Sequence, residues 1–489
     1  MENILSPHSV DSRLTEIGNT KYSLSTDASN KGAAKHFPIT LRYFSATHGV
    51  SEMILDFYED SKETSVAIAD RIQKVIEENG LSIENMVAYG ADSAAVNYGR
   101  HHSVFIHLQK QQPNLYKARC NCHIVHNAAK FGFKLMDYDV ETLVLKVYSE
   151  FASSAKHVDN LQHFCEEAEL DYQKVLRHVP TRWLSLFDAV DRLVRNWPAI
   201  KAYFSNQGEH EVHSAIWKFV SSVSYHDESE SKDEPVSIAE CYLFFTHSVL
   251  QLFTRTIKQL ESTSITAIEA YRVMVSLREK IQQRKADHFF GYMANQGLRR
   301  LSSAEIASFT ETADSVYTRS LQYLEKWVNF EDNSLIIPFS ILLLDEPFPF
   351  EKLVDAMEAA KLRFDGDDLY EEFCNLRDFL SAYKPGEQDC VSEKWKSFFS
   401  SFPQCTQLLH LVQVVLAIPA SNAFVERIFS TMHNVWSDER NRLRTELVKA
   451  ELCVRYNYRQ TCRSFYQFIL GEKKLLESVR KSLKYRHCK

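Results

Sequence analysis

Over the first 130 residues, short runs of β-branched and aromatic residues alternate with longer amphipathic stretches, a pattern that predicts an α/β region. Tyr22 to Thr26 reads as a strand, the turn-rich Asp27-Ala-Ser-Asn-Lys-Gly32 follows it, and Ile39 to Phe44 and Gly49 to Tyr58 read as two more strands. Three strands in close succession predict an antiparallel meander. Ser61 to Asn79 reads as a helix, with Val66, Ile68, Ile72, Val75 and Ile76 near helical spacing. Met86 to Tyr89 is a short strand ending at Asp92, Ala94 to Lys110 is helical, and Tyr116 to Cys122 is a further strand. The predicted order is β-β-β-α-β-α-β.

From about Asn127 to Phe402 the pattern turns helical almost throughout and glycine becomes scarce. Breaks fall at the acidic stretch near Asp227 to Pro235 and at Leu335 to Phe350, where Pro338, Pro347 and Pro349 forbid a continuous helix. Farther on, Leu408, Leu409, Leu411, Val412, Val414, Val415 and Leu416 crowd into one very apolar helix stopped by Pro419. Ser421 is placed to cap a second helix running through Ser430. A third helix, Glu439 to Tyr458, sets Leu443, Leu447, Ala450 and Val454 on one stripe, with Arg440, Arg442, Arg444 and Lys449 around it. Such helices suit packing against the core, against a second copy, or both. Leu408, Leu411, Val415, Leu443, Leu447 and Val454 are the candidate self-association residues.

Composition narrows the class. The chain has 489 residues, several times a usual domain, and 45% hydrophobic content, enough to fill more than one core. It lacks any run of about 18 uncharged apolar residues and a signal-like N-terminus, so the expectation is a soluble intracellular protein without membrane association. Ten cysteines lie between Cys120 and Cys488 without framework spacing, which suits reduced thiols. A net charge of −7 argues against non-specific binding to nucleic acid. Its distribution is uneven, however. His226 to Pro235 concentrates negative charge, whereas the end of the chain carries Arg459, Arg463, Lys473, Lys474, Arg480, Lys481, Lys484, Arg486 and Lys489 against only Glu472 and Glu477.

Three acids stand out by position: Asp27 where the first strand ends, Asp92 just past the fourth, and Glu426 in a helix near the end of the chain. Carboxylates suit Mg²⁺ or Mn²⁺ because hard cations take oxygen ligands, and two such ions about 4 Å apart can drive phosphodiester cleavage or strand transfer. Each acid also has an ordinary reading: Asp27 and Asp92 as turn or cap residues, Glu426 as a solvated helix acid beside Arg427. Cys120, Cys122, His123 and His126 invite a zinc reading, but the spacing C-x-C-H-x-x-H crowds the ligands and lacks the separated pairs of a zinc finger.

Several separated motifs together resemble one family. Ser25-Thr-Asp-Ala-Ser-Asn30 with Phe37-Pro-Ile-Thr-Leu-Arg-Tyr-Phe44 looks like the first catalytic block of hAT-superfamily DNA transposases, and Tyr89-Gly-Ala-Asp-Ser-Ala-Ala-Val-Asn-Tyr-Gly99 is similar to the second. Cys120-Asn-Cys-His123 resembles the family's cysteine–histidine motif, and Thr181-Arg-Trp-Leu-Ser185 its arginine–tryptophan motif. Ile418-Pro-Ala-Ser-Asn-Ala-Phe-Val-Glu-Arg-Ile-Phe-Ser430, with Arg440-Asn-Arg-Leu443 beyond it, looks like the hAT C-terminal dimerisation region.

The resemblance implies an α/β RNase H-like core interrupted by a large all-helical insertion, in a chain that is mainly helical. The implied segments are a 1–20 extension, the first part of the core at 21–130, the insertion at 131–402, the dimerisation region completing the core at 403–460, and a basic tail at 461–489. It implies that Asp27, Asp92 and Glu426 form the acidic triad for Mg²⁺ or Mn²⁺, that Cys120, His123, Arg182 and Trp183 support the distorted DNA, and that the chain self-associates. A tryptophan suits that work because its ring stacks on an unpaired base; its bland alternative is a core aromatic. No BED-type zinc finger precedes residue 22, so the expectation is a truncated or host-adopted copy, nuclear or cytoplasmic. The alternative function is a domesticated, catalytically inactive nuclear interaction or regulatory protein that acts as a dimer.

Overall fold

The computed structural model describes residues 1–179, 185–221, 236–331, 336–383, 390–437, 439–440 and 442–481. The chain is mainly helical with one small mixed sheet. It divides into two compact units: Met1–His123 with Leu260–Arg272 and Glu331–Lys489, and Ile124–Gln259 with Val273–Phe330.

The first unit is built on six strands: β1 Tyr22–Thr26, β2 Ser29–Lys31, β3 Ala34–Ser45, β4 Gly49–Glu59, β5 Met86–Ala91 and β6 Tyr116–Arg119. β3 pairs antiparallel with β4 along one edge and with β1 and β2 in succession along the other. β5 runs parallel to β1, and β6 parallel to β5. Every residue of β1 and β5 is buried, as befits central strands covered on both faces. One face carries the Ser65–Glu78 and Val104–Gln109 helices, whose Ile68, Ile72, Val75, Phe105 and Leu108 pack with Tyr22, Leu24 and Tyr89. The opposite face carries the Thr406–Ala417 helix, whose Leu408, Leu411, Val412 and Val415 pack with Phe44, Val87 and Ala88. From Leu411 onward this helix is buried almost all round, inserted between the sheet and the helices of 350–401, while Thr406 and His410 near its start stay exposed. Its N-terminal amides are satisfied by Glu372, whose carboxylate accepts from Gln407 N at 3.0 Å and Leu408 N at 2.8 Å.

Several boundaries depart from the sequence pattern. The stretch 94–110 is two short helices, Ala95–Tyr98 and Val104–Gln109, because the chain turns tightly at Gly99 and restarts on a Ser103 hydroxyl cap. β6 ends at Arg119, so Cys120 is the junction and Asn121 to His123 open the Asn121–Phe133 helix rather than ending a strand. The last striped helix starts at Thr445, six residues later than its periodicity suggests. A helix over Leu5–Ile17 carries no strong apolar stripe and was not legible in the pattern. It packs along Thr445–Asn457, with Arg13 Nε donating to Asn457 O at 2.7 Å and the Tyr458 hydroxyl to Leu5 O at 3.2 Å.

The second unit is helical throughout its described residues, around a core that includes Leu143, Val147, Leu161, Val190, Leu193, Ile200, Phe204 and Phe219. It contains a cavity of about 750 Å³ in which Lys130 and Lys134 stand with Phe131, Phe187, Phe253 and Ile257. Among the described residues, no helix is long and apolar enough to cross a membrane.

Candidate metal centre

Asp27 follows β1 and Asp92 follows β5, two neighbouring parallel strands in which Ser25 lies opposite Gly90. Both carboxylates therefore leave the same end of the sheet, side by side. Gly90 is required there, since a Cβ would stand 2.3 Å from Ser25 Oγ and 3.0 Å from Pro419 Cγ. Asp27 occupies the break where the chain passes from β1 to β2, and its Oδ1 accepts the Ala28 amide at 2.8 Å. Asp92 is held harder. Its Oδ1 accepts from Ala94 N at 3.1 Å and from Asn97 Nδ2 at 2.7 Å, and Asn97 Oδ1 in turn accepts the buried Tyr89 hydroxyl at 3.0 Å.

Glu426 reaches this end of the sheet through the Pro419 to Asn422 link. Pro419 follows directly on the Thr406–Ala417 helix and the residue that caps it. Ala420 O then accepts from Asn121 Nδ2 at 2.9 Å, Asn422 Nδ2 donates to Thr26 O at 3.3 Å, and the Asn422 amide donates to Cys120 Sγ at 3.2 Å. These bonds tie the link to the end of β1 and to the start of the Asn121–Phe133 helix. The Ala423–Val435 helix starts at once and carries Glu426 in its first turn. Asn422 occupies the cap position of that helix, without a side-chain cap bond. Ser421, expected as the cap, accepts the Ala423 amide at 3.3 Å, while its hydroxyl donates to Leu260 O at 2.9 Å.

The side chain that closes the cluster is His123. Ligand atoms of Asp27, His123 and Glu426 all lie within 4.8 Å of one another, and His123 Nε2 is 4.0 Å from Glu426 Oε1. Burial dominates the electrostatics, and neighbouring charge adds to it. Burial is the chief cause that pushes Asp27 up to about 6, with His123 pulling it down and Asp92 adding repulsion. Burial and then Asp27 push Glu426 up to about 7, against the pull of His123. For His123, burial opposes the charged form, but Cys120 and the two carboxylates outweigh it and raise the imidazole to about 10. Cys120 is the other half of that pair: burial opposes its thiolate, yet hydrogen bonds from Cys122 and His123 and the charge of His123 hold it well below the usual thiol range.

The sequence-derived residues thus fare differently. Asp27 and Glu426 meet, and Asp92 is near enough to act on the charge of Asp27. Cys120 is fully buried, where its sulfur accepts the Asn422 amide and pairs with His123. Arg182 and Trp183 lie outside the described residues. Leu408, Leu411 and Val415 correct the expectation of a partner surface, because their side chains are fully buried against the sheet of their own chain. Leu443, Leu447 and Val454 remain half-buried. The sequence reading missed His123 as a member of the acid cluster, Asn97 as the group that orients Asp92, and Asn422 as the stitch. Asn97 and Asn422 sat inside quoted motifs; for Asn97, a polar side chain between Val96 and Tyr98 was the available signal.

No curated protein matches the chain. Residues 374–458 match the hAT family C-terminal dimerisation region. That stretch contains the helix beneath the sheet, the stitched link and Glu426. The match supports a hAT-family transposase-like protein that self-associates.

Proposed function

We propose that the chain is a metal-dependent protein that cleaves and transfers DNA strands in the manner of hAT transposases, working as a homo-oligomer on an RNase H-like core split by a helical insertion. The observation that carries this reading is the meeting of Asp27, Glu426 and His123 at the ends of parallel strands, with Asp92 beside them. A sheet in which β1 is antiparallel to β3 and parallel to β5, with acids after β1 and β5 and a third on a late helix, supports the RNase H-like assignment.

The donor set fits Mg²⁺ or Mn²⁺: two carboxylates whose hold on protons is raised by burial, and then by a neighbouring carboxylate, are the groups a divalent cation relieves. When bound, the ion supplies Lewis acidity toward a phosphodiester and a water or 3′-hydroxyl activated at neutral pH. The chain's own part is to hold the carboxylates in register, through Asn97 on Asp92 and through the Asn422 link on Glu426. Arg463, Lys473, Lys474 and Arg480 on the last two helices, and Lys481 just after them, are exposed and offer phosphate contacts despite the net negative charge. Arg182 and Trp183 keep the DNA-contact role that their motif implies, and a DNA substrate implies a nuclear location.

The test is Mn²⁺-dependent nicking or hairpin formation on duplex DNA by the purified chain. Asp27→Asn and Glu426→Gln each remove more than the roughly 10–100-fold that loss of an outer-shell partner costs. A folded, self-associated chain that leaves DNA intact overturns the enzymatic reading in favour of an inactive, transposase-derived binding protein.

A further inference from the structure

We infer that His123 is an inner ligand of the cation site, so that the site takes Mn²⁺ in preference to Mg²⁺; this rests on the metal-site reading above. The three ligand atoms that converge are oxygen, nitrogen and oxygen, from Asp27, His123 and Glu426; ligation takes the neutral imidazole, so the bound ion replaces the proton on the coordinating nitrogen, which leaves to solvent. Asp92, the acid that would make an all-oxygen set, has Oδ1 committed to two donors, Ala94 N and Asn97 Nδ2, and stands outside the converging group.

The imidazole is also built in rather than left at the surface. It stands in the first turn of the Asn121–Phe133 helix, directly after β6, with a side chain 21% exposed. The start of that helix is fixed from two sides: Asn121 Nδ2 reaches Ala420 O, and Cys120 Sγ accepts the Asn422 amide. The residues that fix His123 are therefore the same ones that deliver Glu426, so the nitrogen and the third carboxylate are set by one local structure.

Ligand chemistry then selects the ion. Mg²⁺ demands oxygen ligands in near-ideal octahedral geometry and keeps its waters, whereas imidazole suits first-row transition ions. A site of two carboxylates and one imidazole gains from its nitrogen with Mn²⁺ and gains little with Mg²⁺.

The experiment titrates the full chain with Mn²⁺, read by the loss of the free-ion electron paramagnetic resonance signal, and with Mg²⁺ by competition. Wild type, His123→Ala, His123→Gln and Asp27→Asn are compared, with circular dichroism confirming the fold. The expected result is Mn²⁺ bound about tenfold or more tightly than Mg²⁺ by wild type. Both His123 variants reduce that ratio toward one by weakening Mn²⁺ alone, and Asp27→Asn weakens both ions. Pulsed resonance on the wild-type Mn²⁺ complex adds a measurement independent of any variant's folding: a directly bound imidazole gives a nitrogen-14 modulation, absent in His123→Ala. Mn²⁺ bound by wild type without nitrogen coupling, or an unchanged ratio in the His123 variants, overturns the inference and leaves the carboxylate site standing. Failure of wild type to bind either ion overturns both.

Discussion

Asp56 is 2% exposed on β4 and yet flanked by cations: Arg71 Nε donates to its Oδ2 at 3.1 Å, and Lys449 from the Thr445–Asn457 helix bonds Oδ1. Burial by itself raises its pKa, but Lys449 and then Arg71 outweigh burial and hold the carboxyl below the ordinary carboxylate range. An acid whose folded value is depressed stabilises the fold above its unfolded pKa of about 3.9, and that contribution is lost as pH falls through the folded value. Asp56→Asn therefore lowers stability at pH 7 by about 1.5–3 kcal/mol, the scale of a hydrogen bond to a charged group. The gap to wild type closes in acid. Urea denaturation at pH 7 and pH 3 checks this, and an equal gap at both pH values contradicts it. None of this was legible in the sequence, where Asp56 is one polar position in a strand and Lys449 is nearly 400 residues away.

The Thr406–Ala417 helix could be recognised from its leucines and valines, but not what it covers. An apolar stripe reports that a surface is removed from water, and a sheet and a second chain remove it equally well. The structure decides for the sheet. Leu411→Ala is expected to cost roughly 2–5 kcal/mol of stability, the range for emptying a buried leucine site. The oligomer mass of the folded fraction stays unchanged. Thermal melting with light scattering reads both, and dissociation without loss of stability places Leu411 at an interface instead. The Leu5–Ile17 helix is the opposite case. Its sequence, with Pro7 in the first turn and few large apolar residues, gives little local signal, and contacts from Arg13 and Tyr458 supply what propensity does not.

At the scale of the molecule, the stretch that matches the hAT C-terminal dimerisation region is part of the first unit's core and also the stretch through which self-association is expected. With Leu408, Leu411 and Val415 spent inside, the half-buried Leu447 and Val454 are the residues of the Thr445–Asn457 helix left to meet a second copy. Leu447→Glu with Val454→Glu lowers the mass seen in light scattering while the melting of the unit is retained, because a charge at a buried contact costs far more than one in water. A wild-type chain already monomeric at micromolar concentration rules out this surface.

The sequence by itself determined the features that arise from neighbouring residues: strands followed by Asp27 and Asp92, a long helical stretch, and motifs that resemble the hAT pattern. Local periodicity and turn chemistry fix such features within a few residues. Only the tertiary structure decided that Glu426 meets Asp27, that His123 joins them while Asp92 is held beside by Asn97, and that the most apolar helix faces its own sheet. The reason is physical: these are contacts between distant segments, selected by burial and by hydrogen bonds such as those of Asn422, and no period along the chain encodes them.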